Sequence, residues 1–343
     1  MLPVTDKRVR IKRLAFVVYN HADVEKAKRF YLDFGMSIVH QQGGSTFFGG
    51  YGRDPFVYWL RQAEAGQPSS FGGAAYEVED RDELIKATKV PGASAISPLD
   101  TPGGGEIVTV KDPFGFLVHF VYGQQQRSDE VFDGEETPDA NSALLRETLN
   151  DIKHRQHNYN YEQPNRKPRK GRFLRFVPGP APVHKFGHYG CTYQEGQHDK
   201  VYNFYTQHFA LAPSDQLHRD GKVIVTFFHI DRGLDFTDHH CFFIKPAKPN
   251  QPSSVAHSAF EVHDFDTQHL GHQYLTERGH TICWGVGRHI LGSQIFDYWF
   301  DPSEFIVEHY CDGDLVNSET EVVQGKAGPD SLKIWGPPVP SVF

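Results

Sequence analysis

Apolar residues along this chain recur in a fixed order of alternating runs and amphipathic stretches. Val201, Phe204, Tyr205 and Phe209 fall at i, i+3, i+4 and i+8, the spacing of one helix face. A second amphipathic stretch, VEKAKRFYLDFGM, occupies 24–36. Residues 255–262 and 304–310 alternate instead and are rich in β-branched and aromatic side chains, which predicts strands. Asp112-Pro113 and Asp301-Pro302 stand before the last strand of each half as turn formers.

The order repeats. RLAFVVY (13–19) matches FGHYGCTY (186–193), and VEKAKRFYLDFGM matches KVYNFYTQHFAL (200–211). FGGAAYEV (71–78) matches VAHSAFEV (255–262), and KDPFGFLVHF (111–120) matches FDPSEFIVEHY (300–310). Strand, helix, strand, turn, strand is a βαβββ module, used twice in each half. The expectation is an α+β chain of two similar domains, 1–123 and 183–314, with a linker at 124–182 and a loop-like tail at 315–343. Within the linker, a short helix is predicted near 141–153. Its basic end (Arg166, Lys167, Arg169, Lys170, Arg172) reads as solvated linker in preference to an anion site. The Trp335-Gly336-Pro337-Pro338 segment of the tail is expected to pack back on a domain surface.

Size and charge narrow the classes. At 343 residues the chain is long enough for two cores. With 23% charged and 38% hydrophobic residues it has the composition of a globular protein. A net charge of -8 argues against nucleic acid as the main partner. No apolar run approaches the roughly 20 residues of a spanning helix, and the N-terminus shows no secretory h-region. Cys191, Cys241, Cys283 and Cys311 form no CxxC pair, which fits reduced thiols and a cytoplasmic location.

Chemistry enters through the repeat. Three matched strand positions carry His188, His257 and Glu308 in the second half and Phe16, Gly73 and His119 in the first. Only one half can therefore offer a complete ligand set. Val255 and Ala259 flank His257 on its face as small neighbours that leave room for a ligand. Two imidazoles and a carboxylate leave three positions of an octahedral metal open, an arrangement suited to non-haem iron(II).

The segment 287–314, GRHILGSQIFDYWFDPSEFIVEHYCDGD, resembles the signature region of type I extradiol dioxygenases, of the vicinal oxygen chelate superfamily. Arg288-His289, Tyr298, Asp301-Pro302 and Glu308 keep the family's order and spacing. VAHSAF and FGHYG resemble the strands that supply the other two ligands, and HHCFFI (239–244) the strand with the catalytic distal histidine. The resemblance implies two vicinal-oxygen-chelate domains, each forming a curved, partly open barrel, with the metal in the second only. It implies Fe(II), or Mn(II), on His188, His257 and Glu308, with His239, His289 and Tyr298 as catalytic residues. The implied reaction opens a catechol beside the diol with O2, giving a hydroxymuconic semialdehyde or related product. A homo-oligomer without nucleic-acid or membrane partners is expected. The register of HHCFFI leaves His240 as an alternative to His239, and a metal-dependent glyoxalase-like isomerase or transferase is the alternative function. Two departures stand out: Glu304 replaces the glycine usual after the DP turn, predicting a turn of different shape, and Ala256 replaces a histidine before the second ligand.

Overall fold

The computed structural model describes residues 6–128, 171 and 175–343. The helix predicted near 141–153 and the basic cluster at 166–172 lie outside them, apart from residue 171. No helix among the described residues is long and apolar enough to cross a membrane.

The first half begins with β1 (Ile11–His21), α1 (Val24–Asp33), β2 (Ser37–Gln42), β3 (Ser45–Gly49) and β4 (Tyr58–Gln62). Its second module is β5 (Ser70–Val78), α2 (Arg81–Ala87), β6 (Ser97–Pro98), β7 (Glu106–Lys111) and β8 (Leu117–Tyr122). The second half repeats the order with β9 (Val183–Tyr193), α3 (His198–His208), β10 (Leu211–Arg219), β11 (Lys222–Ile230), β12 (Thr237–Asp238) and β13 (Phe242–Pro246). It continues with β14 (Val255–Val262), α4 (Phe265–Glu277), β15 (Thr281–Arg288), β16 (Ile295–Phe300) and β17 (Ile306–Cys311). Asp23, Asp80 and Asp264 cap α1, α2 and α4 by accepting from backbone N–H groups of the first turn.

Strand order is β2-β3-β4-β1-β5-β8-β7-β6 in one sheet and β15-β16-β17-β14-β9-β13-β11-β10 in the other. Read in opposite directions the two orders are the same. In each module the first strand runs parallel to the last, and the two modules join through an antiparallel pair, β1–β5 or β9–β14. Neither sheet closes on itself. The tail differs from the loop expected after Asp314. Its β18 (Leu315–Val316) pairs with β12, and its β19 (Val323–Lys326) extends the second sheet beyond β10.

One apolar core spans both halves, from Tyr19, Phe30 and Phe34 to Tyr189, Phe242 and Phe260. A reciprocal pair of polar contacts locks the halves together. Tyr31 of α1 donates its hydroxyl to Asp301 at 2.9 Å, and Tyr205 of α3 donates to Asp112 at 3.0 Å. Each aspartate also accepts two backbone N–H groups of its own turn. The two turns have the same shape, contrary to the expectation drawn from Glu304. Gly115 takes φ 92° and Glu304 takes φ 66°, so a residue with a Cβ occupies the left-handed conformation that the Asp301 turn requires.

Candidate metal centre

Strand register brings the site together. His188 on β9 pairs with Ala259 on β14, Ala259 with Glu308 on β17, and Glu308 with Tyr298 on β16. Residues directly opposite in a sheet share a face, with Cβ atoms roughly 5 Å apart. His257 joins that face from two residues away along β14. The methyl group of Ala259 leaves the middle of the row free, so three long side chains converge over it. Nε2 of His257 lies 3.3 Å from Nε2 of His188, and Oε2 of Glu308 lies 3.0 Å and 3.3 Å from them. The same row in the first half is Phe16, Ala75 and His119, with Gly73 in the place of His257. His119 spends both ring nitrogens on Thr109 and the Gly72 carbonyl.

The convergence can hold a cation. Glu308 is fully buried, yet neither carboxylate oxygen has a hydrogen-bond partner, and Nδ1 of His188 also lacks one. An uncompensated buried carboxylate costs several kcal/mol, on the order of the penalty per buried ion. Burial pushes the imidazole of His188 down to about 3 and that of His257 to about 4, so both are neutral near pH 7, the form that ligates metals. Among the described residues these three are the group whose donor atoms meet closely enough to hold an ion. Two imidazoles and one carboxylate fit Fe(II) or Mn(II) with coordination positions to spare.

A cavity of about 680 Å³ opens over the ligands, lined by His188, His240, His257, His289 and Tyr298. Tyr298 and His289 are joined at 2.8 Å. His289 Nδ1 lies 2.6 Å from the Leu332 carbonyl, which can only accept, so this nitrogen carries the proton and Nε2 accepts from the Tyr298 hydroxyl. Burial moves His289 down and Tyr298 well up, keeping both neutral.

His239 is not in this cavity; His240 is. The ring of His240 lies 4.2 Å from that of His188, whereas His239 turns away and places Nε2 2.8 Å from buried Asp215. The expected assignment to His239 came from aligning HHCFFI with the family's strand, which put His240 on the opposite face beside Phe242. Alternation does hold along β13, where Phe243 and Lys245 face the cavity and Phe242 and Ile244 the core. But β13 starts at Phe242, and the bend at 239–241 shifts the phase. Nδ1 of His239 and Nδ1 of His240 lie 3.1 Å apart. A neutral His239 with its proton on Nε2 toward Asp215 would accept at Nδ1 from His240 and leave His240 Nε2 as an acceptor facing the cavity.

Sequence reading missed two contributors. Asp215 has no flanking motif to signal it. The tail lacks periodicity, yet residues 327–329, 331–332 and 339–343 wall the cavity. Trp284 donates to the Pro337 carbonyl at 3.0 Å, Arg288 bridges to Trp335, and the Phe343 ring lies 4.7 Å from that of Tyr298. The tail thus packs over the second half, as expected for 335–338, while the Trp335 side chain stays partly exposed.

Residues 13–120 match the model of the Glyoxalase/Bleomycin resistance protein/Dioxygenase superfamily. The chain is similar to the Mn(II)-bound glyoxalase from Novosphingobium aromaticivorans, with a TM-score of 0.72 at 19% identity over 97% of this chain and 94% of that one. It is equally similar to homoprotocatechuate 2,3-dioxygenase from Brevibacterium fuscum, with a TM-score of 0.72 at 16% identity over 99% and 93%. The fold is the vicinal-oxygen-chelate fold. Metapyrocatechase 2 from Cupriavidus necator is 30% identical over 145 residues, 42% of this chain and 42% of that protein. In the vicinal-oxygen-chelate arrangement seen here, the row across β9, β14 and β17 brings together side chains that could hold a metal in the second half, and its first-half copy is filled by Phe16, Ala75 and His119.

Proposed function

We propose that this protein is an extradiol dioxygenase that opens a catechol ring beside its diol, using both atoms of O2. The observation that carries the reading is the meeting of His188, His257 and Glu308 with His240, His289 and Tyr298 around one cavity. Likeness to a metapyrocatechase and to a homoprotocatechuate dioxygenase supports it.

When bound, Fe(II) or Mn(II) supplies positive charge that favours catechol deprotonation and open positions for the diol and O2. His240 presents a bare nitrogen to the cavity and takes a proton from the substrate, returning it when the ring opens. Tyr298, oriented by His289, hydrogen-bonds a substrate oxygen at the end of the ligand row. Phe243, Trp284 and Phe343 exclude water from the reacting ring.

The test is reconstitution with Fe(II), and separately Mn(II), without air, followed by a panel of catechols in air. A yellow ring-fission product is expected. A glyoxalase-like isomerase is the rival, kept in view by the Mn(II)-bound neighbour. Turnover of a methylglyoxal–glutathione adduct with no consumption of O2 by any catechol would establish that rival instead.

A further inference from the structure

One basic side chain in the cavity has no acid to answer it. Lys245 faces the cavity from β13, and among the described residues no carboxylate pairs with its Nζ. Its charged or ionisable neighbours include Lys248, the Cys283 thiol and His257, none of them an acid that carries negative charge near pH 7. Among the described residues the one acidic side chain on the cavity wall, Glu304, stands at the exposed rim, and the other cations there, Arg219 and Lys248, are exposed as well. The interior is therefore positive at the Lys245 end. Burial draws this ammonium down to about 8, which still leaves it charged near pH 7.

Its position relative to the ligands follows from register. Lys245 pairs with Thr192 and Phe243 with Gly190. His188 precedes Thr192 by four residues on β9, roughly 13 Å at strand rise. Aromatic walls fill the space between. The Phe243 ring lies 4.8 Å from that of His257, and Lys245 Nζ lies 5.1 Å from the Phe343 ring centroid. Phe243 can cross β9 because its partner is Gly190; a Cβ there would overlap the ring. A diol held at one end of this span carries its ring between the aromatic walls and its far substituent toward the other end.

Resting on the dioxygenase reading, we propose that Lys245 is a specificity residue pairing with a carboxylate on the substrate's ring substituent, so that the preferred substrates are catechols with an acidic side arm. An unpaired cation in a mostly apolar cavity gains a charge-assisted hydrogen bond from such a group, and a neutral arm leaves it unanswered.

The experiment compares 3,4-dihydroxyphenylacetate with 4-ethylcatechol, similar in size and different in charge, on metal-loaded wild type, Lys245→Met and Lys245→Arg. Wild type is expected to favour the acid in kcat/KM. Lys245→Met should raise KM for the acid about 10- to 100-fold, with kcat and the neutral catechol changed by no more than about threefold. Lys245→Arg should keep most of the preference. Binding of the same two compounds without O2, read by tryptophan fluorescence, should show the same loss of affinity for the acid alone. Equal use of both compounds by wild type, or equal weakening of both by Lys245→Met, overturns the inference. Failure of wild type to open either ring counts against the dioxygenase reading, while the O2-free binding ratio still decides on Lys245.

Discussion

His239 and His240 are adjacent, both buried, and differ in what they face. His240 looks over the ligand row, and His239 ties it to Asp215 through two contacts of 3.1 Å and 2.8 Å. Replacing His240 with Asn should lower turnover of saturating catechol by roughly 10²–10⁴-fold, the contribution of a general acid–base group. Metal content should not change. His239→Asn acts only by loosening its neighbour and should have the smaller effect; the reverse order of losses would reassign the roles. That His188, His257 and Glu308 form one cluster was legible in the sequence because the repeat supplies a comparison: the same positions hold Phe16, Gly73 and His119 in the first half, which offers no such set. The histidine pair was not, because the bend before Phe242 breaks the alternation on which register depends.

The modules hold one another through elements that each sequence half shows plainly. RFYLDF and NFYTQHF carry Tyr31 and Tyr205 at matched helix positions, and each DP turn carries the aspartate that receives the other half's hydroxyl. Both aspartates are buried, and burial raises Asp301 to about 6. Tyr31→Phe and Tyr205→Phe should each cost about 1–3 kcal/mol, the penalty of leaving a buried acceptor short of a donor. Urea denaturation of the two variants should give comparable losses; no change in either would mean the crossed contacts do not join the halves. That these motifs repeat could be read from the sequence. That each tyrosine reaches the opposite half could not, because the partners lie 270 and 93 residues apart along the chain. Packing of 335–338 was expected, but the tail's place on the cavity wall escaped, because contacts through the backbone carbonyls of Leu332, Trp335 and Pro337 leave no side-chain pattern.

Across the whole molecule, two copies of one architecture divide the labour. Where the second half has Glu308, the first has His119, which burial holds down to about 4 against an ordinary value of 6.5. Unfolded, this imidazole takes up a proton as pH falls through 6.5; folded, it stays neutral until about 4. The unfolded chain then binds the extra proton, so the native state loses stability as pH falls across that window. His119→Gln removes this contribution. The stability of wild type minus that of His119→Gln should therefore shrink by about 1.4 kcal/mol for each pH unit below 6.5. A difference that stays constant from pH 7 to pH 5 would show that His119 is not held neutral by the fold.

The division of labour also predicts one catalytic metal per chain and a ring opened outside the diol. Mass spectrometry of the product formed by Fe(II)-reconstituted protein under isotopically heavy O2 tests both at the site of chemistry, when read alongside the iron content of the same sample. The account predicts about one iron per chain, as the single two-histidine, one-carboxylate set requires. It predicts a product carrying an aldehyde or ketone and two heavy oxygen atoms. A dicarboxylic cis,cis-muconate, or a product without heavy oxygen, would contradict it.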